Sequence, residues 1–255
     1  MDLFNFEKQV AVVTGGGSGI GKICAEALAE NGATIVLLGR TLEKIQNTAD
    51  EISNKTGATV SAFTCDVTEK KQINDVVLKI IEKYDRIDIL VNNAGTTARG
   101  SIETLEENDW DKVMDTNVKS VFLMSQAVIP FMKKAQYGRI INTASVAGNV
   151  SLFFGTVYGP SKAGVIHLTK QLSGELAKYN ITANAFSPWF FKTDLNSGTL
   201  KDEEFKSMVE NRTPMKRLGQ LDELKTTVLY FASKGSSYVT GQNVFVDGGM
   251  TSFGL

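Results

Sequence analysis

The stretch from Val10 to Gly21 narrows the folds open to this chain more than any other. A short apolar run, Val10 to Val13, leads into Thr14-Gly15-Gly16-Gly17-Ser18-Gly19-Ile20-Gly21, after which Ile23, Ala25, Ala27, Leu28 and Ala29 recur at helix-like spacing. The order is strand, glycine turn, helix. Ala33 to Leu38 supplies a second buried strand, so the chain opens with a βαβ unit whose crossover is right-handed.

The alternation continues. Helices are predicted from about Leu42 to Lys55, Glu69 to Tyr84, Tyr158 to Tyr179 and Asp222 to Ser233. Strands are predicted at Thr59 to Thr64, Ile87 to Asn92, Arg139 to Thr143, Ile181 to Phe186 and Val244 to Val246. Between Asp109 and Lys134 the apolar positions, from Trp110 and Val113 to Val128 and Ile129, keep a helical period, with Pro130 bending or ending the stretch. About seven parallel strands with helices on both faces make an α/β doubly wound sheet, a Rossmann fold, and ligands bind such sheets at the carboxyl ends of the strands. No Pro/Gly/Ser-rich break or charge run divides the 255 residues, so residues 1–255 are expected to form a single domain.

Lys+Arg of 27 against Asp+Glu of 28 leaves almost no net charge, which removes any global electrostatic case for nucleic acid or an anionic membrane. Cys24 and Cys65 form neither a metal-ligand spacing nor a disulfide framework. The start, MDLFNFEKQ, is not a signal peptide, and no apolar run reaches the roughly 18 residues of a membrane span. A soluble, cytoplasmic protein is expected.

Glycines between a buried strand and a helix let the backbone approach a phosphate at the helix N-terminus. A P-loop reading of Gly16 through Gly21-Lys22 fails because Ile23 stands where a Ser or Thr must bind magnesium. The strict G-x-G-x-x-G pattern fails too; what fits is Gly15-x3-Gly19-x-Gly21 preceded by Thr14. At the end of the second strand, where a carboxylate for the adenosine 2′-OH is usual, the chain has Gly39 and Arg40. A planar cation there suits a 2′-phosphate, so NADP(H) is favoured over NAD(H), the other reading of Arg40 being a solvated surface arginine.

Tyr158 and Lys162 stand four residues apart at a helix start marked by Pro160, and so share a face. An ammonium beside a phenol is expected to pull the tyrosine from its ordinary value of about 10 toward neutrality, where acid–base work is efficient. Alone, such a pair is an ordinary surface feature. Its company is not: Thr14-Gly15, Gly19-Ile20-Gly21, Asn92-Asn93-Ala94-Gly95, Asn117, Ser145 and Tyr158 with Lys162 all occur in order. On these motifs the chain resembles the short-chain dehydrogenase/reductases over essentially its full length.

The resemblance implies a ketone–alcohol oxidoreductase with Asn117, Ser145, Tyr158 and Lys162 as the catalytic set. Tyr158 would be the general acid/base, Lys162 would tune it and bond the nicotinamide ribose, Ser145 would hold the substrate carbonyl, and Asn117 would kink its helix and hold a water in a proton relay. Gly15, Gly17, Ser18, Gly19, Ile20, Gly21, Arg40, Asp66, Val67, Asn93, Ala94, Gly95, Pro188, Phe191 and Thr193, with Tyr158 and Lys162, would bind the cofactor. Ser145, Phe153, Tyr158 and Trp189 would form the substrate pocket. The family also implies a homotetramer, with helices 109–134 and 158–179 packing across subunits.

Two departures stand out. The family's Pro-Gly after the sixth strand is Pro188-Trp189 here, and the basic residue common before the second glycine in NADP-preferring members is Ser18. The closing portion looks most like gluconate 5-dehydrogenase-type members, which implies a keto-sugar acid such as 5-ketogluconate. Tropinone reductases, 3-oxoacyl-carrier-protein reductases and hydroxysteroid dehydrogenases share much of the pattern, and the aromatics Phe153, Phe154, Trp189, Phe190 and Phe191 suit a ring or an alkyl chain. Arg99 reads either as a substrate-carboxylate anchor or as a solvated loop residue. His167 sits off the Tyr158 face, Ser145 lacks a His and Asp in any triad arrangement, and no metal cluster appears, so hydrolase and metal chemistry are unsupported. A cofactor-binding regulator without activity is the competing class, against which the complete catalytic set argues.

Overall fold

A computed structural model describes residues 4–152, 155–193 and 197–253. Seven strands, β1 (Val10–Thr14), β2 (Thr34–Gly39), β3 (Val60–Thr64), β4 (Ile89–Asn92), β5 (Gly138–Thr143), β6 (Ile181–Pro188) and β7 (Asn243–Val246), form one parallel sheet in the order β3-β2-β1-β4-β5-β6-β7. Eight α-helices occur among the described residues: α1 (Gly19–Glu30), α2 (Leu42–Thr56), α3 (Lys70–Tyr84), α4 (Glu107–Met114), α5 (Ser120–Ala135), α6 (Tyr158–Leu176), α7 (Glu203–Arg212) and α8 (Lys225–Ala232).

The sheet is covered on both faces, which is why its strands read as continuous apolar runs. In β2, Ile35 and Leu37 point into a core shared with Leu28 of α1 and Phe231 of α8. Val36 and Leu38 point into the opposite core, with Ile73 and Ile80 of α3 and Met132 of α5. The strand order switches sides between β1 and β4, and the crevice that this switch opens at the carboxyl ends is where a ligand fits.

The expected long helix over 109–134 is two helices joined by one π turn, Asp115–Lys119, centred on Asn117. Pro130 does not end it: α5 runs on to Ala135, because Val128 and Met132 on either side are buried in the core and outweigh the one lost backbone bond. Helix α7 was not anticipated; it starts at Asp202, whose side chain accepts from the Glu204 and Phe205 amides.

Gly21 is buried under the glycine turn, where a Cβ would fall 2.3 Å from the Gly15 carbonyl oxygen and 2.5 Å from Asn93 Nδ2. Neither neighbour is the free end of a flexible chain. Gly21→Ala is expected to lower unfolding free energy by roughly 2–3 kcal/mol, read as a fall in the urea midpoint at unchanged slope.

Candidate active site

The glycine turn is held open by two left-handed residues, Gly15 (φ +64°) and Gly19 (φ +52°), a region that favours glycine. It delivers the chain to α1 with Ser18 at the N-cap, and that side chain makes no capping bond. With no acidic residue in the first turn either, the N–H groups of a 12-residue helix face the crevice as an anion-binding end.

Asn93 stitches this turn to the neighbouring strand ends. Its Nδ2 donates to the carbonyls of Thr14 (3.2 Å) and Gly15 (3.3 Å), and its Oδ1 accepts from Thr143 Oγ1 (3.3 Å). The Asn93 and Ala94 amides both donate to Thr14 Oγ1, at 2.9 and 3.0 Å. The ends of β1, β4 and β5 are thereby locked together.

Lys162 hangs from the same lattice. It is 4% exposed, and its Nζ donates to the Thr143 carbonyl at 2.8 Å and lies 5.7 Å from the Tyr158 ring centre. Burial pushes the ammonium down to about 8. Tyr158 and Lys162 do share a face, but the expected fall of the phenol toward neutrality is not found. Burial raises Tyr158 above its ordinary value, and a hydrogen bond with Ser145 draws it only partly back. The reason is geometric: the lysine spends a hydrogen bond on a backbone carbonyl, and loss of solvent is the stronger effect on the phenol.

Ser145 is fixed by its own backbone, its Oγ accepting from the Ala147 amide at 3.2 Å where a short 3-10 turn begins. Asn117 is fully committed: its Oδ1 accepts from the Thr96 amide (2.8 Å), and its Nδ2 donates to the Thr96 carbonyl (2.9 Å) and to Ser161 Oγ (2.9 Å). Its amide therefore holds the π turn against the β4 loop and is spent there.

These groups open onto one cleft of about 860 Å³. Gly15, Gly17, Ser18, Gly19 and Ile20 line it, with Arg40, Asp66, Val67, Asn93, Ala94 and Gly95, and so do Ser145, Tyr158, Lys162, Pro188, Trp189, Phe191 and Thr193, the last of them beside Gly19. Gly21 and Asn117 stand behind the walls, Gly21 packed under the turn and Asn117 bonded to Thr96 and Ser161. Phe153, expected in the substrate pocket, lies outside the described residues, as does Phe154. Arg99 is exposed, is not in the cleft wall and donates to Thr199 Oγ1, so it is not placed to anchor a substrate carboxylate. His167 is exposed on α6 beside Gln171.

Sequence reasoning missed Lys44, which lines the cleft from the first turn of α2. The signal was present, since Arg40 and Lys44 are four apart across a strand-to-helix turn. Asp66 is half-buried. Partial burial raises its carboxyl, yet the amide and hydroxyl of Thr68, both bonded to Oδ1, and the nearby Arg40 charge hold it below the usual range.

A family model described as enoyl-(acyl carrier protein) reductase matches residues 15–251. A 3-oxoacyl-(acyl-carrier-protein) reductase of Thermotoga maritima is 39% identical over 244 residues, 96% of this chain and 98% of that protein. A gluconate 5-dehydrogenase of Gluconobacter oxydans is 36% identical over 250 residues, 98% of this chain and 97% of that one. The crystal structure of a gluconate 5-dehydrogenase from Burkholderia cenocepacia, in complex with NADP and tartrate, superposes with a TM-score of 0.96 at 37% identity, covering 99% of each chain.

A lysine held near 8 when folded and near 10.5 when unfolded binds fewer protons folded than unfolded between those values, so stability rises with pH across that window by up to ~1.4 kcal/mol per unit. Lys162→Met should therefore be more stable than the parent at pH 7, and the gap should close between pH 8 and 10, as read by urea denaturation of both proteins at stepped pH.

Proposed function

The chain belongs to the short-chain dehydrogenase/reductase family, and from that premise we propose that it is an NADP(H)-dependent oxidoreductase interconverting a ketone and a secondary alcohol. The observation that carries this reading is that Ser145, Tyr158 and Lys162 line the same cleft as the glycine turn and Arg40.

The walls suit a phosphorylated dinucleotide on their own terms. The open N-terminus of α1 answers the pyrophosphate, Gly39 keeps a side chain off the ribose, and Arg40 with Lys44 meets a 2′-phosphate. Asp66 and Val67 would flank the adenine, and Pro188, Phe191 and Thr193 would hold the nicotinamide end. When bound, the nicotinamide supplies or accepts the hydride.

The chain's part is to place and protonate the substrate. Tyr158 Oη gives its proton to the carbonyl oxygen as charge develops there, with Ser145 Oγ as second donor. A raised phenol stays protonated at neutral pH, the form a reductase needs. Lys162, held at about 8, is mostly charged at pH 7 and favours the phenolate as the proton leaves. Asn117 shapes the site by holding the π turn, and its side-chain amide, already bonded at both ends, leaves no group for the relay water expected of it.

For substrate we propose a keto-sugar acid such as 5-ketogluconate, on the similarity to the Gluconobacter and Burkholderia proteins. A 3-oxoacyl thioester is the second reading, favoured by the aromatic wall of Trp189 and Phe191. The absence of Arg99 from the cleft wall removes one argument for an acidic substrate. Trp110 (36% exposed) and Phe122 (46%) on α4 and α5 support the proposed homotetramer. Cytosolic residence is proposed on the two free cysteines. Among the described residues no helix is long and apolar enough to cross a membrane.

A ketone and alcohol panel with NADPH and NADH, reading kcat/KM for each, tests the proposal; no turnover with any carbonyl would refute it and favour a binding protein. Tyr158→Phe should cut kcat at least a thousandfold while NADPH Kd stays within a few-fold by fluorescence titration. Arg40→Ala should raise KM for NADPH about tenfold or more and leave KM for NADH nearly unchanged.

A further inference from the structure

Trp189 stands where the family pattern has a glycine, and the structure gives its bulk two attachments. The amide donates to the Val246 carbonyl at 3.1 Å, tying the end of β6 to β7. The indole Nε1 donates to Thr213 Oγ1 at 3.0 Å, and that hydroxyl donates to the Val209 carbonyl of α7 at 2.8 Å. The ring also meets Phe190 edge-on, centroids 4.7 Å apart, and Phe190 meets Phe205 of α7 at 5.6 Å.

The indole is also a shared wall. It lines the main cleft, as Ser145 and Tyr158 do, and a second cavity of about 320 Å³ where Phe190, Met215 and Phe245 give apolar wall, the Arg217–Glu223 ion pair and Asp247, bonded to Thr251, giving the polar remainder. Thr213 borders only the second cavity, so the bonded N–H edge faces that side. Phe191 is shared as well but is buried and packed against Gly219. Its ring fills the place of a Gly219 side chain, 2.3 Å from where that Cβ would be, and the Gly219 amide donates to the Phe190 carbonyl at 3.0 Å.

We infer that Trp189 is the specificity-determining partition of the substrate site, pinned by Thr213, and that the cavity behind it is a closed-off subsite for an alkyl or aryl extension of the ketone. The inference rests on the ketone-reductase reading above. With the indole in place, the substrate is limited to what fits between Ser145, Tyr158 and the ring. Without it, the space bordered by Met215 and Phe245 joins the cleft, and a longer apolar arm gains burial. Thr213 acts through Trp189 and is a positioning residue.

The test is kcat/KM with NADPH for 2-alkanones from butan-2-one to undecan-2-one, plus 5-ketogluconate, in the parent, Trp189→Gly, Thr213→Val and Thr213→Ser. Trp189→Gly should raise the ratio of long-chain to short-chain kcat/KM at least tenfold. Thr213→Val should move that ratio the same way by a few-fold through KM, while Thr213→Ser, which keeps the acceptor, should restore it. A purely structural role lowers every substrate alike, and an unchanged ratio in Trp189→Gly overturns the inference. Should Trp189→Gly fail to fold, Thr213→Val against Thr213→Ser decides by the same ratio. A second readout is independent of turnover: 4-phenylbutan-2-one should bind Trp189→Gly at least tenfold more tightly than the parent by ligand-observed NMR, and equal affinity overturns the inference. A parent that reduces nothing while the variant binds more tightly would refute the ketone-reductase reading and leave the partition standing.

Discussion

One side chain, Asn93, holds the functional end of this molecule together. Parallel strands have no turn to fix their carboxyl ends, and the crevice where the strand order switches sides is by construction a gap between β1 and β4. Asn93 closes the base of that gap with donors to Thr14 and Gly15 and an acceptor for Thr143. Lys162 is bonded to the carbonyl of the same Thr143. The turn that would meet phosphate and the ammonium that would tune the proton donor are thus two ends of one hydrogen-bonded lattice. Their separation is set by covalent geometry and three strand ends, with no flexible loop between them.

Burial then determines the electrostatics. Removing Lys162 and Tyr158 from water disfavours the charged form of each, so the ammonium falls and the phenol rises. The two values move apart, the ammonium down from 10.5 to about 8 and the phenol up from 10, so the phenol keeps its proton for a substrate oxygen while the lysine beside it is the easier of the two to discharge. The cost is a polar cluster inside an apolar fold, tolerated because nearly every member has a partner; Asn92 Oδ1, buried just behind Asn93, is one of two buried side-chain atoms left without one among the described residues.

The fold was legible because strands buried on both faces read as continuous apolar runs, as Val10 to Val13 of β1, Ile35 to Leu38 of β2 and Ile89 to Val91 of β4 do. The cleft was legible because its residues cluster at strand ends. What escaped depended on contacts distant in sequence. Helix α7 buries only Val209, so its ten residues carry little apolar period. Gly21 looked like a ligand glycine, and only its 2.3 Å approach to the Gly15 carbonyl shows it to be a packing one. The direction of the Tyr158 shift needed the burial of both groups, which four-residue spacing cannot supply. Arg99 looked available until Thr199, a hundred residues away, proved to be its partner.

The claim on which the account stands is that a substrate oxygen meets Tyr158 and Ser145 together. The measurement closest to it is a crystal structure of the protein with NADP and an unreactive carbonyl analogue. The account predicts an analogue oxygen about 3 Å from both Tyr158 Oη and Ser145 Oγ, with its carbon facing the nicotinamide. An oxygen bonded elsewhere, with Tyr158 more than a water's width away, would contradict it.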